Sequence, residues 1–120
     1  MISKYNESSV FEDERYVEMT WQKFYQLDEA NELVDPMNYD FDLLNAACVS
    51  ALNKYRTANH IPVLHFNPSL RDAASIQTDQ MVRLNYFDHF NPKSKEIRSP
   101  SDRDELCGYS GEKIAENIAR

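Results

Sequence analysis

The residues of this chain that are best suited to chemistry are its histidines and the carboxylate of Glu116. His89 follows a predicted helix, where a protonated imidazole interacts favourably with the helix dipole, so a structural role alone can account for it. An imidazole beside a carboxylate such as Glu116 has two further uses. Both groups are zinc ligands, or the carboxylate fixes the imidazole tautomer while the imidazole activates a water molecule. The residues themselves leave these alternatives open.

The remaining reactive side chains give weaker signals. His60 and His65 are separated by Pro62 and do not share a helix face, so we expect them to be connector residues with polar tips at the surface. Cys107 has no adjacent basic residue, so nothing indicates a lowered thiol pKa. A disulfide between Cys48 and Cys107 stays open, because the sequence does not give the Cα separation that the bond requires. The serines that follow His89 lie in no nucleophile-elbow pattern.

Composition narrows the class of partner. The 120 residues carry a formal net charge of −7, and the 13 basic residues are scattered. Because nucleic-acid affinity rests mainly on Lys and Arg neutralising phosphates, we expect no nucleic-acid partner. No apolar run approaches the roughly 18 residues of a membrane-spanning helix, so we expect no transmembrane segment. The first residues contain no apolar core and predict no signal peptide.

The first predicted helix lies early in the chain. Ser9 and Glu12 have the spacing of a capping box. Val17, Trp21 and Phe24 then recur at helical spacing, although apolar residues in the same stretch also alternate as in a strand. We favour the helix, because the capping box and the helical spacing agree.

Two longer helices are predicted more clearly. The second extends from Asp40, a suitable N-cap, to about Thr57. The third begins at Asn67, which caps well, and Pro68, which is tolerated at the first helical position; it ends near Asn85. The apolar stripe expected to face the core comprises, in the second helix, Phe41, Leu44, Ala47, Cys48, Ala51, Leu52 and Tyr55, and in the third, Leu70, Ala73, Ala74, Gln77, Met81 and Leu84.

The rest of the chain is predicted to be mostly irregular. Residues 88–111 contain two prolines, many charges and both glycines, which predicts a long loop of the kind that usually has a function or is disordered. Arg103 in this loop is either solvated among neighbouring acidic residues or paired with a carboxylate elsewhere. Residues 113–120 are expected to begin a strand or a turn.

Short motifs from about residue 40 onward occur in the order and spacing of one known family. They are Leu44-Asn45-Ala46-Ala47, Leu52-Asn53-Lys54-Tyr55-Arg56, the connector 59–64, Asn67-Pro68-Ser69-Leu70, Tyr86-Phe87-Asp88-His89, Ser101-Asp102-Arg103 and Ala115-Glu116-Asn117-Ile118-Ala119. The chain resembles the amino-terminal portion of a CAP domain, the superfamily of cysteine-rich secretory proteins, antigen 5 and pathogenesis-related-1 (SCP-like extracellular domains), in its compact bacterial form. We therefore divide the chain into an extension, partly helical, over 1–39 and a CAP domain over 40–120.

The resemblance implies an α+β fold, an α-β-α sandwich in the complete domain, whose strands lie mostly beyond these motifs. The present residues should therefore be predominantly helical, with about three helices, a long loop and little sheet. It also implies a cleft of two histidines and two acidic residues that in several members binds a divalent metal such as zinc. His89 and Glu116 match two of those positions. Arg103 and Asn117 match residues that support the cleft, Arg103 by pairing with a carboxylate and Asn117 by hydrogen bonds to backbone.

The function that the resemblance implies is a secreted or envelope-facing binding module without catalytic activity. Its cleft, centred on His89 and Glu116, would hold a divalent metal, a lipid or a peptide. One alternative is a hydrolase in which the same two residues orient a water molecule or a metal-bound hydroxide. A second alternative is a structural scaffold whose extension or loops contact a protein partner.

Overall fold

A computed structural model describes residues 14–111 and 113–120. This part of the chain is helical and contains no β-strand, which confirms the prediction of a predominantly helical chain with little sheet. The elements are α1 (Glu14–Val17), α2 (Trp21–Phe24), a 3-10 turn (Asp28–Asn31), α3 (Phe41–Ala58), α4 (Pro68–Leu84) and α5 (Pro100–Leu106). They group into an amino-terminal unit that ends at Phe66 and a carboxy-terminal unit that begins at Asn67.

The predicted first helix is interrupted in the amino-terminal unit. Two single-turn helices, α1 and α2, replace it, and Thr20 separates them. The Thr20 hydroxyl accepts a hydrogen bond from the Lys23 amide at 3.3 Å, so it caps α2. Threonine side chains compete in this way with a continuous helix, which explains the break. The predicted capping box at Ser9 lies outside the described residues.

The second predicted helix forms as α3, with Asp40 as its N-cap, but its buried face differs from the predicted apolar stripe. Ala46, Ser50 and Asn53 are the buried residues. Phe24 of α2, 1% exposed, packs in one cluster with Ala46, which is fully buried, because a small side chain permits close approach. The stripe residues that are instead exposed are Phe41, Cys48, Ala51, Leu52 and Tyr55. The predicted boundary at residue 40 lies within this unit and stays a prediction.

The third predicted helix forms as α4 with the expected ends. The Asn67 side chain accepts a hydrogen bond from the Leu70 amide at 3.1 Å, and Pro68 occupies the first turn. Asn85 ends the helix in the left-handed conformation with φ 53°, which asparagine tolerates better than most residues. α4 packs against α5. The core of this unit consists of Ala73, Ile76, Ile97 and Cys107, with Leu106 packed against it.

The predicted long loop over 88–111 needs a correction, because it contains α5. Ser99 and Asp102 form a complete capping box: the Ser99 hydroxyl accepts from the Asp102 amide, and the Asp102 carboxylate accepts from the Ser99 amide. Pro100 occupies the first turn. This helix buries Arg103 completely. Residues 113–120 have no regular secondary structure.

The two cysteines are not joined by a disulfide; Cys48 is exposed and Cys107 is buried. Burial raises the pKa of the Cys107 thiol to about 11, with Asp72 and Asp104 adding to the effect. Among the described residues, no helix has both the length and the apolar character needed to cross a membrane.

Candidate functional site

The guanidinium of Arg103 organises one end of the carboxy-terminal unit. Its Nη1 donates to the carbonyl oxygens of Ile97 and Arg98, both at 3.0 Å. Its Nη2 donates to the carbonyl of His89 at 2.9 Å and to both carboxylate oxygens of Glu116, at 3.0 and 2.8 Å. Since Arg103 lies on α5, that helix ties the segment carrying His89 to the irregular segment carrying Glu116. The Arg103 Nε is also buried, and it has no hydrogen-bond partner among residues 14–111 and 113–120.

The structure brings together the two residues that the sequence singled out. The Nδ1 of His89 lies 2.9 Å from Oε1 of Glu116. Because an ionised carboxylate only accepts hydrogen bonds, a neutral imidazole in this position donates through Nδ1 and keeps the lone pair on Nε2. The Glu116 side chain is 16% exposed and that of His89 is 45% exposed. The carboxylate is therefore held inside, while the imidazole reaches solvent.

Two ionisable groups near the His89–Glu116 pair, Asp104 and Tyr86, have shifted pKa values. Burial raises the pKa of Asp104, and the Glu116 carboxylate adds to this, while Arg103 acts in the opposite direction. Burial also raises the pKa of the Tyr86 hydroxyl, which Arg103 partly offsets. Arg103 thus places a positive charge against the Glu116 carboxylate, at 2.8 Å.

A cavity of about 480 Å³ adjoins Glu116 within the carboxy-terminal unit. Its volume lies in the range of small-molecule sites. Met81, Val82 and Phe87 give it apolar walls, and Tyr86 and Glu116 lie on its polar side. The Arg120 guanidinium lies 5.7 Å from the centre of the Phe87 ring. The cavity therefore meets the polar pair at Glu116, whereas His89 does not line it.

Sequence reasoning missed the buried amides beside this site. Gln77, 2% exposed, donates from Nε2 to the carbonyl of Asp88 at 2.5 Å and accepts from the Tyr86 hydroxyl at 3.0 Å. Asn91, 1% exposed, donates to the Oε1 of Gln80 at 3.1 Å. The available signal was the amide at position 77 on a face otherwise rich in small apolar residues, since a buried polar group needs a specific partner.

The other predicted site residues lie elsewhere or make other contacts. His60 and His65 are exposed in the amino-terminal unit, as expected of connector residues, and His60 has a φ of 57°. Asn117 is exposed and lines the cavity. Its side chain makes no hydrogen bond within residues 14–111 and 113–120, so the expected support of the backbone is not seen there.

In the described His89–Glu116 pair, one atom is available to bind a divalent metal, the Nε2 of His89. Across the described ranges, no three side chains of His, Cys, Asp or Glu group as a metal site would require. His89 presents Nε2, but the Glu116 oxygens already accept from Arg103 and His89. A cation approaching Glu116 would also meet the positive charge of Arg103. His89 therefore fits the role of a metal ligand, whereas Glu116 fits that of a residue that orients the ligand.

Comparison with known proteins places these residues in one family. Residues 49–119 match the family model described as "CAP: Cysteine-rich secretory protein family". The match covers more than half of the chain and includes both His89 and Glu116, so the chain belongs to the CAP family. No curated protein and no solved structure matches it significantly.

Proposed function

We propose that this chain is a secreted binding module whose ligand contacts the Nε2 of His89 and enters the adjoining cavity. The observation that carries the proposal is the 2.9 Å contact between His89 Nδ1 and Glu116, because it leaves Nε2 as an acceptor on the solvent side. Family membership supports an extracellular location, since the family is described as secretory. Envelope attachment remains the other form of that location.

The ligand should have an apolar part and a group that interacts with a neutral imidazole. Met81, Val82 and Phe87 offer the apolar contact area, and His89 offers one acceptor nitrogen. A lipid or a peptide with an apolar side chain meets both requirements. A divalent metal such as zinc is the simplest species that Nε2 would hold, with Glu116 keeping the imidazole in the required tautomer. Such a metal would serve as a Lewis acid toward bound ligands.

Zinc titration by calorimetry tests the imidazole first. We expect His89→Gln to abolish zinc binding and Glu116→Gln to weaken it by about 10- to 100-fold, the usual cost of losing the partner that orients a ligand. His65→Gln removes an exposed histidine in the amino-terminal unit and should leave zinc binding unchanged. Equal binding by wild type and His89→Gln would refute the proposal for metals.

A hydrolase is the second candidate, and the same geometry favours it. The imidazole that donates through Nδ1 to a carboxylate is set to accept a proton from water through Nε2. Assays on peptide and ester substrates should then show a rate that falls when Glu116→Gln removes the ionised partner. Turnover that is indifferent to this substitution would exclude the mechanism. A protein that binds neither zinc nor a lipid or peptide, and that turns over no substrate, would favour the scaffold, whose partner is a protein.

A further inference from the structure

We propose that Gln77 and Gln80 are positioning residues that hold His89 in the orientation its Nδ1 contact needs. The two glutamines lie three residues apart on α4, so they share one face of the helix, about one turn apart. The segment that they hold, residues 86–91, contains His89.

Gln77 holds the segment on the side that precedes His89. Its amide nitrogen donates to the carbonyl of Asp88, the residue directly before His89, and its amide oxygen accepts from the Tyr86 hydroxyl. Gln77 is 2% exposed, so water cannot readily replace either bond. The backbone that leads into His89 is therefore fixed to α4.

Gln80 holds the segment on the side that follows His89. Its amide oxygen accepts from the side chain of Asn91, which is 1% exposed. The Asn91 oxygen in turn accepts from the amides of Lys93 at 2.8 Å and Ser94 at 3.2 Å. This closes the turn after His89 against the same helix. Arg103 completes the arrangement by donating to the His89 carbonyl.

The consequence is a histidine whose backbone is held before, at and after its own position. His89 is itself 45% exposed at the side chain, and among the described residues its ring hydrogen-bonds to Glu116. That contact holds the ring and selects the tautomer, but it forms only if the backbone of His89 is at the right distance and angle from Glu116. The two glutamines thus place the backbone so that the ring reaches Glu116, as buried side chains do around other functional groups.

The inference rests on the proposed function only for the identity of the functional atom, Nε2. Its test reads the tautomer of His89 directly and needs no ligand. The chain has three histidines, so their ring nitrogens are separable in ¹⁵N-labelled protein by long-range proton–nitrogen correlation spectra. We expect Gln77→Met, which keeps the volume and removes both hydrogen bonds, to lose the single Nδ1-protonated signature of His89 in favour of exchange between tautomers.

Three further variants isolate the cause. Tyr86→Phe keeps the bond from Gln77 to Asp88 and should retain the wild-type tautomer, and Ser75→Ala, an exposed change on α4, should do the same. Gln80→Met should shift the His89 signals as Gln77→Met does, and it decides the question if Gln77→Met proves unfolded. Folded glutamine variants with wild-type ring signals would overturn the proposal. So would an equal change in Tyr86→Phe, because the hydroxyl of Tyr86 rather than the bond from Gln77 to Asp88 would then be the cause. A wild-type protein that shows the Nδ1-protonated signature but does not bind zinc would instead count against the proposed function alone.

Discussion

Asn53 in the amino-terminal unit and Gln77 in the carboxy-terminal unit are buried amides that make similar contacts with different consequences. Each lies on a long helix and bonds to main chain 11 residues further along. Asn53 donates to the carbonyl of Leu64 at 3.0 Å and accepts from its amide at 2.8 Å, which closes a connector. Gln77 instead joins a hydroxyl and the carbonyl next to His89. The same physical device thus fixes a connector in one unit and a candidate site in the other.

The difference lies in how readily water can replace the hydrogen bonds of each amide side chain. Leu64 is 45% exposed, so its backbone groups can turn to solvent when Asn53 is lost. Tyr86 is half-buried, and Gln77 itself is almost inaccessible. Asp88 is exposed like Leu64, so losing Gln77 differs in removing the acceptor of the half-buried Tyr86 hydroxyl, which costs more than losing a hydrogen bond that water replaces.

The largest effect is expected from the residue that connects both sides of the candidate site. Arg103→Met removes a buried guanidinium and leaves the Glu116 carboxylate without its charged partner. Removing one partner of a buried ion pair costs about 3–5 kcal/mol. We therefore expect the free energy of unfolding, measured by urea denaturation, to fall by that amount. The double variant Arg103→Met/Glu116→Gln should recover part of it. A loss below about 1 kcal/mol in the single variant would show that the pair is solvated.

The comparison between the two amides predicts the next effect. Gln77→Met should lower the free energy of unfolding by about 1–3 kcal/mol, the cost of unsatisfied buried polar groups. Asn53→Leu should lower it by about 0.5–1.5 kcal/mol, because water takes over the lost bonds. Urea midpoints at an unchanged slope give both values. If Asn53→Leu lowers the free energy of unfolding more than Gln77→Met does, the inference that the carboxy-terminal unit depends more strongly on its buried amide is wrong.

The N-caps of α5 and α2 extend the comparison of the two units, with smaller expected changes in the free energy of unfolding. Ser99→Ala breaks a reciprocal capping box on the helix that carries Arg103, and about 1 kcal/mol is expected. Thr20→Ala removes a single exposed cap bond on α2, so about 0.5 kcal/mol is expected, again from urea midpoints. Equal losses at the two caps would argue that the second bond of the box adds nothing.

The cap of α5 also predicts a pH dependence. Hydrogen bonds with the backbone and side chain of Ser99 hold the pKa of Asp102 below the ordinary aspartate value of 3.8. A carboxyl whose pKa is lower in the folded state stabilises the fold above 3.8, and this contribution disappears as the pH falls through the lowered folded pKa. The difference between wild type and Asp102→Asn in unfolding free energy should therefore shrink on acidification below pH 4. A constant difference across that range would contradict the capping role.

Local signals predicted much of this fold. Asp40 and Asn67 begin the two long helices as their capping chemistry indicates, and Asn85 ends α4. The capping box of Ser99 carried the same kind of signal for α5, but the surrounding charges and prolines favoured a loop. The buried face of α3 was mispredicted, because its packing depends on the small Ala46 and on polar Ser50 rather than on apolar area.

The candidate site was predictable only in part. Motif resemblance pointed to His89, Arg103 and Glu116, and the structure brings all three into contact. The sequence pattern placed Gln77 on the core-facing stripe but gave no partner for it, and it did not indicate Gln80, because a helix accepts glutamine at any exposed position and burial depends on tertiary packing. Their contact with the segment around His89 follows from where that segment returns against α4, which periodicity does not encode.

The account depends most on the state of one ring, so the direct measurement is the tautomer of His89 in the wild-type protein. Ring-nitrogen correlation spectra at a pH where the imidazole is neutral distinguish the protonated nitrogen from the unprotonated one. We expect the proton on Nδ1, donated to Glu116, and a lone pair on Nε2. A proton on Nε2, or an even mixture of the two forms, would contradict the claim that Glu116 orients this histidine for binding.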